Sequence, residues 1–357
     1  MGDAVAPTSA AQTLSQAHRR LAFRVLIIIL CGLLLAAAMI VALGSGSQSI
    51  PAADVIRALT DPASVKKSTE IIIHQVRLPR ALVGALVGMN LAIAGTMLQG
   101  VVRSPLGDPY ILGVSAGGGL AAATTTLLID NFPPEAVPAA AFVGSLIGAL
   151  IVYAVAWDST GVSTTRLALA GVALTSMMGA FTTTVVVMSV EGGGQIIFQW
   201  LVGGLYTAGW PEYDLIRFYS LAGLIIALLL ANRANVLALG DDVAQGLGLR
   251  VEQTRFLMSA TAAILAGSAV AAAGLIAFVG LLVPYFARRL VGSDHRFLIP
   301  ASGLLGAALM VWSDTAARVT FPHLFGVTSI EFPVGIITAI IGGPLFLWLV
   351  RARRSAW

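Results

Sequence analysis

Long apolar runs separated by short polar stretches dominate the chain. A helix needs about 20 apolar residues to cross the hydrocarbon of a bilayer, and ten runs qualify: 25–43, 81–102, 110–129, 139–157, 167–190, 215–231, 256–273, 275–290, 297–311 with an extension towards Arg318, and 332–350. The stretch from 256 to 287 is too long for one span, so the pattern predicts a break at Gly274. The expected fold is all-α: a polytopic membrane protein with about ten transmembrane helices.

The polar stretches suggest further elements. Residues 1–20 are small and polar and read as a disordered tail, leaving 21–354 as a single transmembrane domain. Between the first two runs, "SIPAADVIRALTD" predicts a short interfacial helix, with Ser49 as N-cap, Pro51 in the first turn, and Val55, Ile56 and Leu59 on one face. The connection 191–214 mixes glycine, aromatic and apolar residues and predicts a short helix at 195–201. The connection 232–255 is polar, with Gly240, Gly246 and Gly248 dividing short helical pieces. Runs two and three share a pattern with runs seven and eight: a Gly-rich helix, a break containing proline, then Pro-Tyr. The two pairs enter from opposite sides, so an inverted internal repeat is expected.

Composition agrees with the pattern and adds orientation. The 357 residues are 57% hydrophobic and 11% charged, whereas soluble domains are about 25% charged. Fourteen of the 21 Lys and Arg fall on one side of the predicted spans and seven on the other. The positive-inside rule then places both termini in the cytoplasm, and the basic excess reports topology, not nucleic-acid binding. That parity leaves Arg77 and Arg80 outside, against the trend.

Candidate chemistry is sparse. The single cysteine, Cys31, excludes an internal disulfide or a Cys-cluster metal site. The four histidines have no ligand spacing. No G-x-x-x-x-G-K-[ST] phosphate loop is present, so this chain does not hydrolyse ATP by that route. Charges gather at run ends and no buried Asp, Glu or His relay is expected; Asn90 and Gln99 are the polar residues deep in the second run. Glycine patterns at Gly84/Gly88, Gly144/Gly148 and Ser115–Gly119 read as close helix packing.

Six motifs in order, "RLPR", "GTMLQGVVRSPLGDPYILGVSAG", "STTRLALAGVAL", "ALGDDVAQGLGL", "FVGLLVPYFARRLVGSDHR" and "PVGIITAIIGGPLFLWLV", resemble the FecCD family over roughly residues 20–353. These are permease subunits of bacterial ABC importers for ferric siderophores, haem and cobalamin. The resemblance implies an inner-membrane importer subunit without enzymatic activity or cofactor of its own. Its partners would be a second permease subunit, two ATPase subunits that hold ATP and Mg, and a substrate-binding protein. By motif position, Arg77, Arg80 and Arg318 would dock acidic lobes of the binding protein, with headgroup anchoring, or for Arg318 pairing with Asp314, as the plainer reading. Leu239, Gly240, Asp241, Asp242, Ala244, Gly246, Leu247 and Gly248 would couple to the ATPase. Ser104, Leu106, Thr164 and Thr165 would form an inner gate, although Ser104 and Gly107 stand where family members often carry Asn and Ala. Thr183, Met188, Gln199 and Trp200 are pathway candidates. A ferric siderophore-type chelate is the expected cargo, haem or cobalamin the alternative within the family, and a secondary carrier the alternative outside it.

Overall fold

The computed structural model describes residues 10–46, 48–158, 161–188, 194–321 and 331–353. Each of the ten apolar runs contains a helix. We number the helices α1 (Ala10–Gly44), α2 (Ala52–Thr60), α3 (Lys67–Val102), α4 (Val114–Leu128), α5 (Val137–Ala156), α6 (Thr164–Met188), α7 (Gly194–Val202), α8 (Trp210–Leu237), α9 (Asp241–Gly246), α10 (Val251–Ala273), α11 (Val279–Val291), α12 (His295–Thr320) and α13 (Val334–Arg353). Among the described residues seven are long and apolar enough to cross a membrane: α1, α3, α5, α6, α8, α10 and α12. The other three runs give α4, α11 and α13, whose apolar stretches are shorter. A two-stranded hairpin, β1 (Trp157–Asp158) with β2 (Gly161–Val162), joins α5 to α6.

Helices α3 and α10 are buried over most of their length and form the centre, with α12, α8, α5 and α4 packed around them. Small residues allow that contact. A Cβ on Gly95 of α3 would overlap the Gly280 carbonyl of α11, and one on Gly88 would overlap the Gly306 carbonyl of α12. Gly144 and Gly148 of α5 meet Gly117 and Gly113 in the same way, so the predicted glycine patterns are packing faces. The Gly95→Leu variant is therefore expected to give no folded monomer on size exclusion. Gly179→Ala, at an open helical position with nothing within 4 Å, should be neutral or slightly stabilising. Similar elution of both variants would overturn this account of the contact.

The break at Gly274 is present. Its φ of +68° suits glycine alone without strain, and the chain runs without regular structure from there to Phe278 before α11 begins. Tyr110 pins the break: its hydroxyl donates to the Ile276 carbonyl at 2.7 Å and accepts from the Ile276 N–H at 2.8 Å. Deep in the bundle, Asn90 of α3 donates to Ser220 of α8 at 2.8 Å and Ser268 of α10 at 3.0 Å.

Several expectations change. Helix α1 begins at Ala10, inside the segment read as a disordered tail; residues 1–9 lie outside the described residues. Pro51, not Ser49, occupies the N-cap of α2, and its buried face is Val55 and Ala58, while Ile56 and Leu59 are exposed. Helix α3 starts at Lys67, so Arg77 and Arg80 lie within it. Pro79 follows a widened turn at Ile72–Arg77 that accommodates its ring. A buried acid also exists: Asp314 of α12 is 3% exposed.

Candidate functional site

Two charged clusters mark opposite connections of the bundle. The first is built on α9, a short helix between two glycines, Gly240 (φ +104°) and Gly248 (φ +81°), whose conformations let it fold back between α8 and α10. Asp241, at its start, accepts from Arg255 of α10 at 2.9 and 2.8 Å and also from Arg103, the residue that ends α3. Arg255 is buried and further donates to Glu252 at 2.9 Å and to the Val162 carbonyl of β2 at 3.2 Å. Glu252 accepts from the Val162 N–H at 3.0 Å. Burial pushes the Asp241 carboxyl up, but the two guanidiniums outweigh that and hold it below the usual carboxylate range.

Both segments predicted as a gate meet here. Arg103 leads the 103–109 loop, where the Ser104 hydroxyl accepts from the Leu106 N–H at 3.3 Å and Leu106 is exposed. Val162 leads into Thr164 and Thr165 at the start of α6. A polar cavity of about 420 Å³ lies between them, lined by Arg103, Ser163, Thr164, Asp241 and Arg255. Val243 of α9 and the flanking Leu239 and Leu247 are exposed, an apolar ridge along this turn of chain, while Ala244 is buried. Asp242, Gly246 and Gly248 are exposed beside them. Sequence reasoning found Asp241 but missed Arg103, Glu252 and Arg255; the partners lie 138 and 14 residues from it and carry no local signal.

The second cluster holds all three arginines assigned to docking. Arg80 donates to Asp314 through Nε at 3.1 Å and Nη2 at 2.9 Å, and to Glu331 at 2.8 Å. Arg318 donates to Asp314 at 3.0 Å, the pairing its spacing allowed. Arg77 donates to the carbonyls of Leu43 at 2.7 Å and Gln48 at 2.5 Å, and Arg318 reaches those of Ala42 and Ser45. Helix α1 ends there, and its last carbonyls have no intrahelical partner. Arg77 and Arg318 thus cap the negative end of α1. These guanidiniums face inward, with Arg77 and Arg80 buried.

The pathway candidates separate. Thr183 and Met188 lie on the open side of α6, with the Thr183 hydroxyl returned to the Gly179 carbonyl at 2.9 Å. Trp200 of α7 is half-buried against the core; the Gln199 side chain lies outside the described residues. Helix α6 exposes Phe181 and Val187, and helix α13 exposes Ile340 and Leu347.

Comparison with known proteins places this architecture. The chain is 39% identical over 287 residues to the Fe(3+)-citrate import system permease protein YfmD of Bacillus subtilis, covering 80% of this chain and 83% of that protein. It is 40% identical over 311 residues to the cobalamin import system permease protein BtuC of Halobacterium salinarum, covering 87% and 81%. The hemin transport system permease protein HmuU of Yersinia pestis is 34% identical over 332 residues, covering 93% and 96%. A metal-chelate type ABC transporter solved in an inward-facing conformation superposes with a TM-score of 0.80 at 29% identity, covering 91% of this chain and 99% of that one. The FecCD transport family model matches residues 33–352, and the chain belongs to that family as an ABC importer permease.

Proposed function

We propose that this chain moves a ferric siderophore-type chelate across the cytoplasmic membrane, taking it from a substrate-binding protein and driven by separate ATPase subunits. The observation that carries this reading is the Asp241 network. It joins α9, which presents an exposed apolar ridge to a partner, to both loops predicted to gate the pathway. A push on α9 is then delivered to the ends of α3 and α10 and to the start of α6. Such a linkage biases a two-state bundle between outward- and inward-facing arrangements.

A chelate carried whole fits the lining better than bare iron. Among the described residues no group of three or more His, Cys, Asp or Glu could hold a metal ion. The open surface of α6 and α13, which includes Thr183 and Met188, faces a second permease subunit across the pathway. At the other end, Arg80 and Arg318 stand against the carboxylates of Asp314 and Glu331 while Arg77 binds only backbone carbonyls, leaving a positive balance that would steer the acidic lobes of a binding protein. Because these arginines are already engaged, docking here acts through the field of the cluster more than through free side chains.

The test is ATP hydrolysis by the reconstituted complex, stimulated by its binding protein carrying ferric siderophore, ferric citrate, haem or cobalamin. The largest stimulation is expected with a ferric siderophore. Haem and cobalamin are the second reading, favoured by the names of two relatives, and a larger response to either would replace the substrate proposed here. Uptake driven by a proton gradient without ATP would overturn the importer mechanism. As a separate outcome, Val243→Asp on the α9 ridge should abolish co-purification of the ATPase, and retained co-purification would remove α9 from that interface.

A further inference from the structure

Between α5 and α10 lies an apolar crevice of about 220 Å³, lined by Leu146, Leu150, Tyr153, Phe256, Ser259 and Ala263 among others. Two residues that line it, Tyr153 and Ser259, carry buried hydroxyls with no hydrogen-bond partner. Tyr153 is 7% exposed and Ser259 4%. Among the described residues Ser145 and Ser302 also bury an unpaired hydroxyl, but neither lines this crevice. Thr261 and Ser268 of α10 return their hydroxyls to the carbonyls of Leu257 at 2.7 Å and Leu265 at 2.8 Å, and Tyr110 is paired on the backbone of Ile276. Leaving a hydroxyl unpaired within the hydrocarbon is costly, so two of them on one apolar crevice point to an acceptor supplied from outside the chain.

The depth of the crevice identifies that acceptor. Tyr153 lies in the last turn of α5, and Ser259 is about 12 Å along α10 from its start at Val251. Tyr153 is therefore near the end of the bundle that carries α9, and Ser259 lies in the half of α10 nearer that end. Trp157 and Phe256 are exposed beside them; Tyr153 packs edge-on against Phe256 at 5.4 Å and tilted against Trp157 at 6.0 Å between centroids. Aromatic side chains gather where acyl chains meet headgroups. At that level the abundant acceptors are the ester carbonyls of glycerophospholipids.

We propose that this crevice binds a glycerophospholipid, one acyl chain filling the apolar space and an ester carbonyl accepting from Tyr153 and Ser259. Phe256 directly follows Arg255 in α10, so the occupant bears on the helix that holds the Asp241 network. The assignment of this leaflet as the cytoplasmic one rests on the topology proposed above; the lipid site itself does not.

The experiment uses the full-length chain in phosphatidylethanolamine nanodiscs doped with a phosphatidylethanolamine that carries a diazirine on one acyl chain. After photolysis, peptide mapping should show several-fold more label around Tyr153 and on residues 256–264 than at Leu33, an exposed position of α1. Replacing both donors, Tyr153→Phe with Ser259→Ala, should reduce the crevice label roughly tenfold and leave that at Leu33 unchanged. Tyr153→Phe alone gives a smaller loss and serves if the double variant is poorly folded. Ala260→Trp, which fills the crevice, should also remove the label. Equal labelling at Tyr153 and Leu33 would make the lipid merely annular and overturn the proposal. So would label unaffected by these variants, or disulfide-linked dimers formed by Leu150→Cys in a Cys31→Ser background, which would assign the face to a second copy.

Discussion

Asp314→Ala is expected to destabilise the isolated permease by about 3–5 kcal/mol, the usual cost of stranding one side of a buried ion pair. The side chains of Arg80 and Arg318 are 11% exposed and that of Asp314 4%. Removing the carboxylate leaves two guanidiniums facing each other, with Glu331, 51% exposed, as the remaining acid. The loss should be read as a lower midpoint of chemical denaturation in detergent. Combining Asp314→Ala with Arg80→Met and Arg318→Met should recover much of it, because apolar groups of similar volume often replace a buried ion pair at little cost. The comparison separates two roles for the same arginines. If Asp314→Ala is stable to within about 1 kcal/mol and instead weakens binding-protein affinity, the cluster serves docking alone. Charge reversal at Arg77 and Arg80 would not make this separation, since Arg77→Glu also strips the cap from α1 and places a carboxylate against its carbonyls.

The same cluster shows how far the sequence could be read. Ten apolar runs identified ten helices because hydrocarbon length and backbone hydrogen bonding leave a membrane chain few alternatives. The break at Gly274 was legible for the same reason: no single span accommodates 256–287. Helix ends were less legible. Polar residues from Lys67 to Arg80 look like a connection, yet they extend α3 because their side chains find partners on α1, α2 and α12. Position identified Arg77 and Arg80 as exceptions to the charge trend but not their use. The acceptors at Leu43, Gln48 and Asp314 are 29 to 234 residues away, and a carbonyl at a helix end leaves no mark in composition. Asp241 illustrates the opposite case. Its neighbourhood was recognisable as a motif, while the reason for an acid there became visible only when Arg103, Arg255 and Val162 converged on it.

That convergence leads to the second large effect. Asp241→Asn is expected to lower uptake and binding-protein-stimulated ATP hydrolysis by roughly tenfold to a hundredfold while leaving the fold intact. The carboxylate makes charge-assisted hydrogen bonds to two arginines, and such bonds are worth about 1.5–3 kcal/mol. If they hold in only one of the two transport states, their loss shifts the equilibrium by that amount, and about 1.4 kcal/mol corresponds to a factor of ten. Stability should change less than for Asp314→Ala, because the Asp241 side chain is 37% exposed and Arg255 keeps Glu252 and the Val162 carbonyl. The pH dependence follows in sign. A carboxylate held below its unfolded value of about 3.9 contributes fully above that value, and the contribution is lost as pH falls through the lower folded one. Neutral assays therefore observe the clamp complete. Asp241→Glu should restore part of the loss. Full coupling in Asp241→Asn would mean that motion of α9 reaches the gate loops by packing and not through this carboxylate.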